Sequence, residues 1–252
     1  MKPQLLSIPY SPWSERARWA LQCRAVEFDK RTYQPLLGEP ELRWRLGKWS
    51  GPVSVPVLLT DDGPCADSYL IAQFAAQHGK GPALFPPGKD AEIAAWNALS
   101  ERGLDAGRSL SLARVLKNPD ALREMVPPPL RAFPGAAQIA AAGVKRTLHK
   151  YGATSQGNAE VLAEVLDKLR DGLAQSPSAL QPGTLLADFS YADITMAQVL
   201  AFVRPPAAGL KIGTANRAAF EDAELAARYP DLLAWRDALY ATYRGTVQPS
   251  AR

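Results

Sequence analysis

The sequence predicts an α/β domain followed by an all-helical domain. Over residues 1–80 the predicted elements run strand, helix, strand, helix, strand, strand, helix, which is the order of an α/β unit with a sheet of mixed direction. Glycine and proline residues between 79 and 88 then break the pattern and act as a linker. Over residues 90–252 apolar residues recur at helical spacing and no strand pattern returns. We therefore predict one domain over 1–80 and a second over 90–252.

Length and composition exclude several classes of protein. The 252 residues are 47% hydrophobic and 21% charged, as in a soluble globular protein with a sizeable core. The net charge of +4 is spread along the chain, so no nucleic-acid partner is expected. The two cysteines and two histidines form no spaced cluster, so we predict a reducing compartment and no metal site. No apolar run has the length of a signal peptide or a membrane span, so we expect a cytoplasmic protein without a membrane partner.

The first half begins with a strand, a proline-bounded loop and a helix. Gln4–Ile8 is a short apolar run that predicts a strand. Trp13–Ala25 has apolar residues at helical spacing, and Ser14 is the predicted residue that starts this helix. Segments 27–33 and 39–48 then predict a second strand and a short, irregular helix rich in arginine and tryptophan.

The chain is organised around residues 53–71. Val53–Thr60 is an apolar run rich in β-branched residues, which predicts a buried strand. Asp62-Gly63 is a hairpin turn signal and leads into a second, short strand that ends at Cys65. Asp67-Ser68 is a good helix start, and apolar residues continue that helix to residue 78.

Two places in this stretch can bind a small peptide. If the Val55–Pro56 bond is cis, the backbone N–H and C=O of Val55 turn out of the sheet and can pair with an extended peptide. At Asp67-Ser68, free N–H groups and the positive end of the helix dipole form a seat for a carboxylate. Together these groups fit a small anionic peptide. The alternative is an ordinary trans proline beside an ordinary helix cap.

The second half consists of helical segments with one proline-rich interruption. Residues 91–116 predict a long helix that is broken near Gly103–Gly107. Five prolines between residues 118 and 135 exclude one continuous helix there. Residues 175–189 lack helical spacing and predict a loop. Further helices are predicted over residues 138–151, 159–174, 190–203 and 230–243.

Five motifs, in the right order, resemble the cytosolic glutathione transferase superfamily. Tyr10–Leu21 resembles its active-site loop and first helix, and Val55–Leu58 resembles its cis-proline strand. Asp67-Ser68 resembles the acidic-Ser pair that holds the γ-glutamyl group. Ser190–Asp193 resembles the buried capping motif of the helical domain, and Tyr229–Trp235 its late helix start. The resemblance implies a thioredoxin-like, glutathione-binding N-terminal domain and a helical domain that forms the second-substrate site.

The function implied by the resemblance is that of an enzyme, a glutathione transferase that activates glutathione thiolate for attack on an electrophilic small molecule in detoxification. Glutathione is then the bound co-substrate, and a homodimer is expected. Two alternatives stay open: a non-catalytic interaction module of this fold, and a protein that binds apolar ligands in the interdomain cleft. Residues 117–136 and 204–220 match none of the motifs, and we expect the substrate pocket to be shaped there.

A serine is the candidate catalytic residue. Ser11 lies just before the first helix and, by the resemblance, aligns with the catalytic cysteine of Cys-type members, where Ser-type members carry their hydroxyl. A free thiol has a pKa of about 8.5, so a hydroxyl donor and a helix N-terminus are needed to stabilise the thiolate at neutral pH. Ser14 and Tyr10 are alternative donors. Because position 11 is not a cysteine, the resemblance disfavours disulfide and dehydroascorbate reduction.

The remaining candidate residues are expected to contact glutathione. By the resemblance, the N–H and hydroxyl of Ser68 take the γ-glutamyl carboxylate and Asp67 takes the ammonium. The backbone at Val55-Pro56 pairs with that of the peptide. Trp13 lines the pocket opening or belongs to the core, and Lys48 is a candidate to reach the glycyl carboxylate.

Three other polar residues are expected to be structural. Arg16 on the first helix should pair with a carboxylate at the domain interface and not with substrate. Cys23 and Cys65 are expected to be inert cysteines of the core, since neither belongs to a recognisable motif.

Overall fold

The computed structural model describes residues 2–35, 37–151 and 157–244. The elements of the first part are β1 Gln4–Ser7, α1 Pro12–Cys23, β2 Asp29–Thr32, α2 Glu39–Leu46, β3 Val57–Thr60, β4 Gly63–Ala66 and α3 Ser68–His78. The four strands form one sheet in the order β2-β1-β3-β4. Strands β1 and β2 are parallel, whereas β3 pairs antiparallel with both β1 and β4. The predicted thioredoxin-like unit with a mixed sheet is therefore confirmed.

Helices cover both faces of this sheet because its side chains alternate between them. Leu5 and Leu58 lie in register, are fully buried, and join the core that α1 and α3 complete. Their neighbours Leu6 and Val57 are also paired and face the other way, against Leu42 of α2. The exposed edge is β2, in which all four side chains face solvent.

The second part is helical throughout the residues that are described. Its elements are α4 Asp90–Val115, α5 Pro119–Met125, α6 Ala136–Lys150, α7 Asn158–Ala174, α8 Tyr191–Val199, α9 Thr214–Phe220, α10 Ala223–Arg228 and α11 Pro230–Leu239. A 3-10 turn follows α5 and another follows α8, and a π-turn at Tyr240–Arg244 extends α11. In the described ranges, no helix is both long and apolar enough to cross a bilayer.

Helix α4 is continuous, so the predicted break near Gly103–Gly107 is wrong. Both glycines face other helices at very short range instead. A Cβ on Gly103 would lie 2.8 Å from a methyl of Val199, and one on Gly107 would lie 2.6 Å from the Cβ of Phe202. Glycine is required here because the backbones of α4 and the α8 segment approach closely, and the surrounding packing outweighs its low helix propensity.

Helix α8 begins with the predicted capping motif, which is confirmed. The hydroxyl of Ser190 accepts the N–H of Ala192, and the carboxylate of Asp193 accepts the N–H of Ser190 at 2.8 Å. The same carboxylate accepts the N–H of Leu185 at 2.7 Å and so fixes the preceding loop. Burial raises the pKa of Asp193 to about 6, although these donors oppose the shift.

Three predictions of secondary structure are corrected. The strand predicted over Val53–Thr60 is regular only from Val57, because the preceding residues have no ladder partner and proline cannot donate to one. Helix α2 is a regular helix and ends at Gly47, whose φ of 60° is the left-handed conformation that glycine favours. Helices α9 and α10 were missed because, at seven and six residues, each is too short to give a clear periodicity.

Candidate active site

The N-terminus of α1 is capped by Ser11, so the prediction that Ser14 starts this helix is wrong. Ser11 has the extended backbone of a cap residue, and its hydroxyl oxygen accepts the N–H of Ser14 at 3.4 Å. As an acceptor in that bond, the hydroxyl keeps its own proton for donation to a further group. Ser11 is half-buried, so a ligand can reach it.

Ser14 has a structural role in the same loop. Its side chain is fully buried, and its hydroxyl oxygen accepts the backbone N–H of Ile8 at 3.0 Å. This bond ties the end of β1 to the first turn of α1. The hydroxyl therefore orders the loop that carries Ser11 and is itself shielded from solvent.

A buried charge cluster holds the same loop from the other side. The guanidinium of Arg18 donates to the carbonyl oxygens of Ile8 and Pro9 at 3.3 and 3.2 Å. Its Nε also donates to Glu15 at 2.8 Å, and the second oxygen of Glu15 accepts from Arg244 at 2.7 Å. The spacing of Glu15 and Arg18 along α1 is visible in the sequence, but nothing there indicates a partner at position 244, which lies more than two hundred residues away.

The Val55–Pro56 bond is cis, as the sequence analysis expected. The carbonyl oxygen of Pro56 accepts the N–H of Asp67 at 3.3 Å, which brings this strand beside the start of α3. Within the described residues, the N–H and C=O of Val55 make no backbone hydrogen bond. The β1–β3 register, in which Leu6 faces Val57, places Ile8 next to this bond when it is continued.

The start of α3 carries polar groups that form no hydrogen bond within the described residues. Asp67 caps the helix with one oxygen, Oδ1, which accepts the N–H groups of Tyr69 and Leu70 at 2.8 and 2.9 Å. Its second oxygen, Oδ2, has no partner in the part of the chain described. Ser68 is buried, and its backbone N–H is likewise unpaired there. This arrangement offers one anionic oxygen and at least one N–H donor at a helix N-terminus.

Aromatic rings support this helix start from the helical domain. Tyr69 of α3 packs edge-on against Phe85, with ring centroids 5.9 Å apart, and lies 5.7 Å from Tyr191 of α8. Phe85 and Tyr191 are stacked at 5.6 Å. Because the N–H of Tyr191 also donates to the carbonyl of Leu84, the linker, α3 and α8 are fixed together.

Trp13 and Arg16 join α1 to α4 at the interface of the two parts. The indole N–H of Trp13 donates to Glu101 at 2.7 Å, and the guanidinium of Arg16 forms an ion pair with the other oxygen of Glu101. Arg16 is fully buried and also donates to the hydroxyl of Ser100 at 2.6 Å. The prediction that Arg16 pairs with an interface carboxylate is confirmed. Glu101 was not predicted as an interface residue, because a single glutamate inside a long helix belongs to no recognisable sequence motif.

Arg108 lies between two aromatic rings at this interface. Its guanidinium carbon is 4.8 Å from the ring centre of Trp13 and 3.8 Å from that of Tyr151. Asp105 pairs with it at 2.6 Å. Trp13 is thus half-buried under an arginine, which accounts for its position without a ligand.

A cleft of about 240 Å³ opens beside the loop that carries Ser11. One wall is formed by the loop before α1 and the end of β2, including Tyr10 and Tyr33. The opposite wall is formed by residues 124–131 and 211–216. Both segments lie within residues 117–136 and 204–220, the two regions that matched none of the five motifs. Burial raises the pKa of the Tyr10 phenol to about 12, so this hydroxyl is neutral at physiological pH.

The other candidate residues lie apart from this loop. Lys48 is exposed, just after the end of α2. Cys23 and Cys65 are free thiols and partly buried. Burial raises the pKa of both thiols, which makes them poor nucleophiles at neutral pH.

Comparison with known protein families agrees with this architecture. Residues 10–78 match the family model of the glutathione S-transferase N-terminal domain, and residues 134–238 match that of the C-terminal domain. A probable glutathione S-transferase of Nicotiana tabacum is 31% identical over 85 residues. That alignment covers 33% of this chain and 36% of the relative, so it spans only about a third of the relative's length.

Solved structures share the fold over the whole chain. Glutathione transferase GSTFuA2 of Phanerochaete chrysosporium has a TM-score of 0.63 and 18% identity, covering 98% of this chain and 99% of its own. A glutathione S-transferase of Ceriporiopsis subvermispora, solved in complex with glutathione, has a TM-score of 0.62 and 17% identity over 100% of both chains. The beta-etherase LigF of Sphingobium sp. strain SYK-6 has a TM-score of 0.61 and 17% identity over 97% of both.

Each of these structures is less than a quarter identical to this chain and supports the fold alone. The family matches, in contrast, cover both halves of the sequence and follow the order of elements described above. This chain belongs to the glutathione transferase superfamily.

Proposed function

We propose that this protein is a glutathione transferase, which binds glutathione along the extended backbone at Val55-Pro56 and directs its thiolate at an electrophilic small molecule. The observation that carries the proposal is a row of polar groups left unpaired in the described chain: the backbone of Val55, the N–H of Ser68 and the second oxygen of Asp67. A protein that used this fold only as a scaffold would have no need to keep them free.

These groups suit the γ-glutamyl end and the backbone of glutathione. The Ser68 N–H at the start of α3 favours a carboxylate through both a hydrogen bond and the helix dipole. The free oxygen of Asp67 suits the neighbouring ammonium. The other oxygen of Asp67 accepts two helix N–H groups, so the position of this side chain is fixed before the ligand binds. Lys48 is our candidate for the glycyl carboxylate.

Ser11 is our candidate for thiolate activation. It lies at the N-terminus of α1, where the helix dipole favours an anion, and its hydroxyl proton is free to be donated. Both effects lower the pKa of a bound thiol below its ordinary value. The thiol proton is released to solvent. The thiolate then forms an S–C bond with the acceptor, whose leaving group departs with the electrons of the bond that breaks.

Two variants separate binding from activation. Ser68→Ala removes the hydroxyl and keeps the backbone N–H. It should therefore raise the Kd of glutathione several-fold to tenfold, on the order of 1 kcal/mol for one hydrogen bond from the hydroxyl to the γ-glutamyl carboxylate. Ser11→Ala should leave glutathione bound but raise the pKa of its thiol, with about 1.4 kcal/mol of lost thiolate stabilisation for each pKa unit. The measurements are equilibrium binding and ultraviolet titration of the bound thiolate. Ser50→Ala, an exposed serine, is the matched control.

If Ser11→Ala changes neither the thiolate titration nor turnover, Ser11 is only a helix cap. Tyr10 or the helix dipole would then carry the activation, since Ser14 is buried and already bonded to Ile8. Retention on glutathione-agarose without turnover of an aryl halide would favour the non-catalytic module. Binding of apolar compounds without affinity for glutathione would favour the ligand-binding alternative.

We further propose that the protein is a cytoplasmic homodimer. Trp44 and Trp49 have exposed fractions of 66% and 71%, which is unusual for tryptophans of a monomer. Sedimentation that gives the mass of a single chain at micromolar concentration would contradict the dimer, and cell fractionation tests the compartment.

A further inference from the structure

We propose that the cleft beside Ser11 selects acceptor molecules in which an anionic group, such as a carboxylate, is attached to an apolar ring. This inference rests on the proposed function and names the class of the second substrate. The position of the cleft, the charges along its walls and its apolar surface each support it.

The cleft is positioned to hold an acceptor next to the thiolate. Its wall includes Pro9 and Tyr10, the two residues before Ser11. Consecutive Cα atoms are about 3.8 Å apart, so Ser11 lies within one side-chain length of the cleft. The opposite wall is attached to this loop directly, because the backbone N–H of Lys211 donates to the carbonyl of Pro9 at 3.1 Å.

Two cations line this cleft, and in the described residues neither forms an ion pair with a carboxylate, although the charge of Arg131 helps to lower the pKa of Glu124. Lys211 is exposed, and its ammonium has no ion-pair or hydrogen-bond partner among the residues that the structure describes. Arg131 donates to the carbonyl oxygens of Val126 and Glu124 at 2.9 and 3.0 Å. These acceptors carry no net charge, so the guanidinium keeps its positive charge at the cleft wall.

The single carboxylate in the lining is occupied elsewhere. The Oε1 of Glu124 accepts the N–H of Ala215 at 3.0 Å, and its Oε2 accepts the N–H and the side-chain amide of Asn216 at 2.9 and 3.1 Å. Both oxygens therefore serve the first turn of α9. These donors carry no net charge, so Glu124 keeps its negative charge, and the cations Lys211 and Arg131 outnumber it by one in the lining. A ligand in the cleft meets two cations and one carboxylate whose oxygens are already hydrogen-bonded to α9.

Charges behind the loop strengthen the positive potential. Among the described residues, Glu15 is the one carboxylate that pairs with Arg18 and Arg244, which leaves this buried cluster with two cations and one anion. Lys30 on the exposed strand β2 lies nearby. Partial desolvation, followed by the positive charges of Arg18, Arg244 and Lys211, lowers its pKa, and Glu15 opposes the shift. A depressed lysine pKa is expected where cations outnumber carboxylates, and an anionic ligand is attracted to the same place.

The rest of the lining is suited to a flat apolar group. Tyr10 and Tyr33 lie on one wall, and Met125, Val126 and Ile212 lie on the other. The cleft volume of about 240 Å³ is sufficient for one substituted ring. The cleft thus combines apolar walls, which suit a ring, with the positively charged residues Lys211 and Arg131, which suit an anionic group.

The test compares two acceptors of nearly the same shape, one charged and one neutral: a chloronitrobenzoate and the chloronitrobenzamide with the same ring positions. Each is attacked at the carbon that bears chlorine, and chloride leaves with the bonding electrons. The measured quantity is the ratio of kcat/KM for the acid to that for the amide, in wild type, Lys211→Gln and Lys211→Glu. Comparing ratios between variants cancels the difference in intrinsic reactivity. Lys145→Gln, which removes an exposed lysine of α6 outside the cleft, is the matched control.

We expect the acid-to-amide ratio to fall about threefold in Lys211→Gln and about tenfold in Lys211→Glu, as for a partly screened charge contact. Lys145→Gln should keep the wild-type ratio. A ratio that is equal in all four proteins would overturn the proposal. A weaker affinity for glutathione in Lys211→Glu with an unchanged ratio would also overturn it, because Lys211 would then belong to the glutathione site.

A binding measurement keeps this inference separable from the proposed function. Nitrobenzoate and nitrobenzamide, which lack the chlorine and cannot react, are titrated calorimetrically into the wild-type protein and Lys211→Glu. Tighter binding of the acid that is lost in Lys211→Glu supports the anionic cleft even if no transferase activity is found. Equal binding of both compounds counts against the cleft even if the protein proves to be an active transferase.

Discussion

Asp193 provides the sharpest test of the energetics, because its carboxylate is fully buried and accepts three hydrogen bonds from Leu185 and Ser190. Asp193→Ala leaves two buried backbone N–H groups without an acceptor. At roughly 1–3 kcal/mol each, their loss should reduce the free energy of unfolding at pH 7 by about 2–4 kcal/mol. Asp188→Ala, at an exposed aspartate five residues earlier, should change it by less than about 0.5 kcal/mol.

The pH dependence of the free energy of unfolding gives a second test of Asp193. Burial raises the pKa of Asp193 from 3.8 to about 6 in the folded protein. Between these two pH values the folded state binds more protons than the unfolded state, so this residue adds stability as the pH falls from 6 towards 4. A shift of two pKa units corresponds to about 2–3 kcal/mol. The difference in stability between wild type and Asp193→Ala should therefore grow by about that amount from pH 7 to pH 4.

The assay is urea denaturation of wild type, Asp193→Ala, Asp193→Asn and Asp188→Ala at several pH values. Neither substitution at position 193 titrates, so both should lose the added stability at low pH, whereas Asp188→Ala should keep it. The opposite result, a difference between wild type and the Asp193 variants that shrinks as the pH falls, would mean that the three hydrogen-bond donors outweigh burial. The carboxylate would then have a pKa below its ordinary value, which would refute the dominance of desolvation at this site.

Two further predictions concern packing and buried charge. Gly107→Ala should lower the free energy of unfolding by roughly 1–3 kcal/mol, because the new Cβ would lie 2.6 Å from that of Phe202. A more stable variant in urea denaturation would contradict the close approach of these helices. Glu15→Gln should be destabilising by about 3–5 kcal/mol, because Arg18 and Arg244 lose their shared buried partner. The same substitution at exposed Glu164 should change the urea midpoint little, and equal effects at the two sites would contradict the role of burial.

Sequence reasoning succeeded where the physical cause is local. The turn at Asp62-Gly63 and the start of α3 at Asp67-Ser68 follow from the backbone preferences and capping chemistry of those residues themselves. The capping box of Ser190 and Asp193 spans four residues and was predicted for the same reason. The order of the strands and of the longer helices follows from the spacing of apolar residues within each of those segments.

Sequence reasoning failed where two distant segments meet. The glycines at 103 and 107 predicted a break in α4. Val199 and Phe202 approach these two positions so closely that only glycine fits there, and helix propensity cannot reveal such a contact. Ser11 and Ser14 are both sensible helix starts in isolation. The position of Ile8, whose N–H bonds to Ser14, decides that Ser11 is the cap and leaves its hydroxyl proton free.

The amino-acid sequence by itself determined the family and the order of the strands and longer helices. It also determined the two places that can bind a small peptide, the backbone at Val55-Pro56 and the helix start at Asp67-Ser68. Tertiary structure alone decided which polar groups are already used and which are free. Glu101 is committed to Trp13 and Arg16, and Glu124 to the first turn of α9, whereas Lys211 faces a cleft unpaired within the described residues. The physical reason is that hydrogen bonding, desolvation and charge pairing depend on neighbours brought together by folding, and these neighbours lie up to 229 residues apart in the chain.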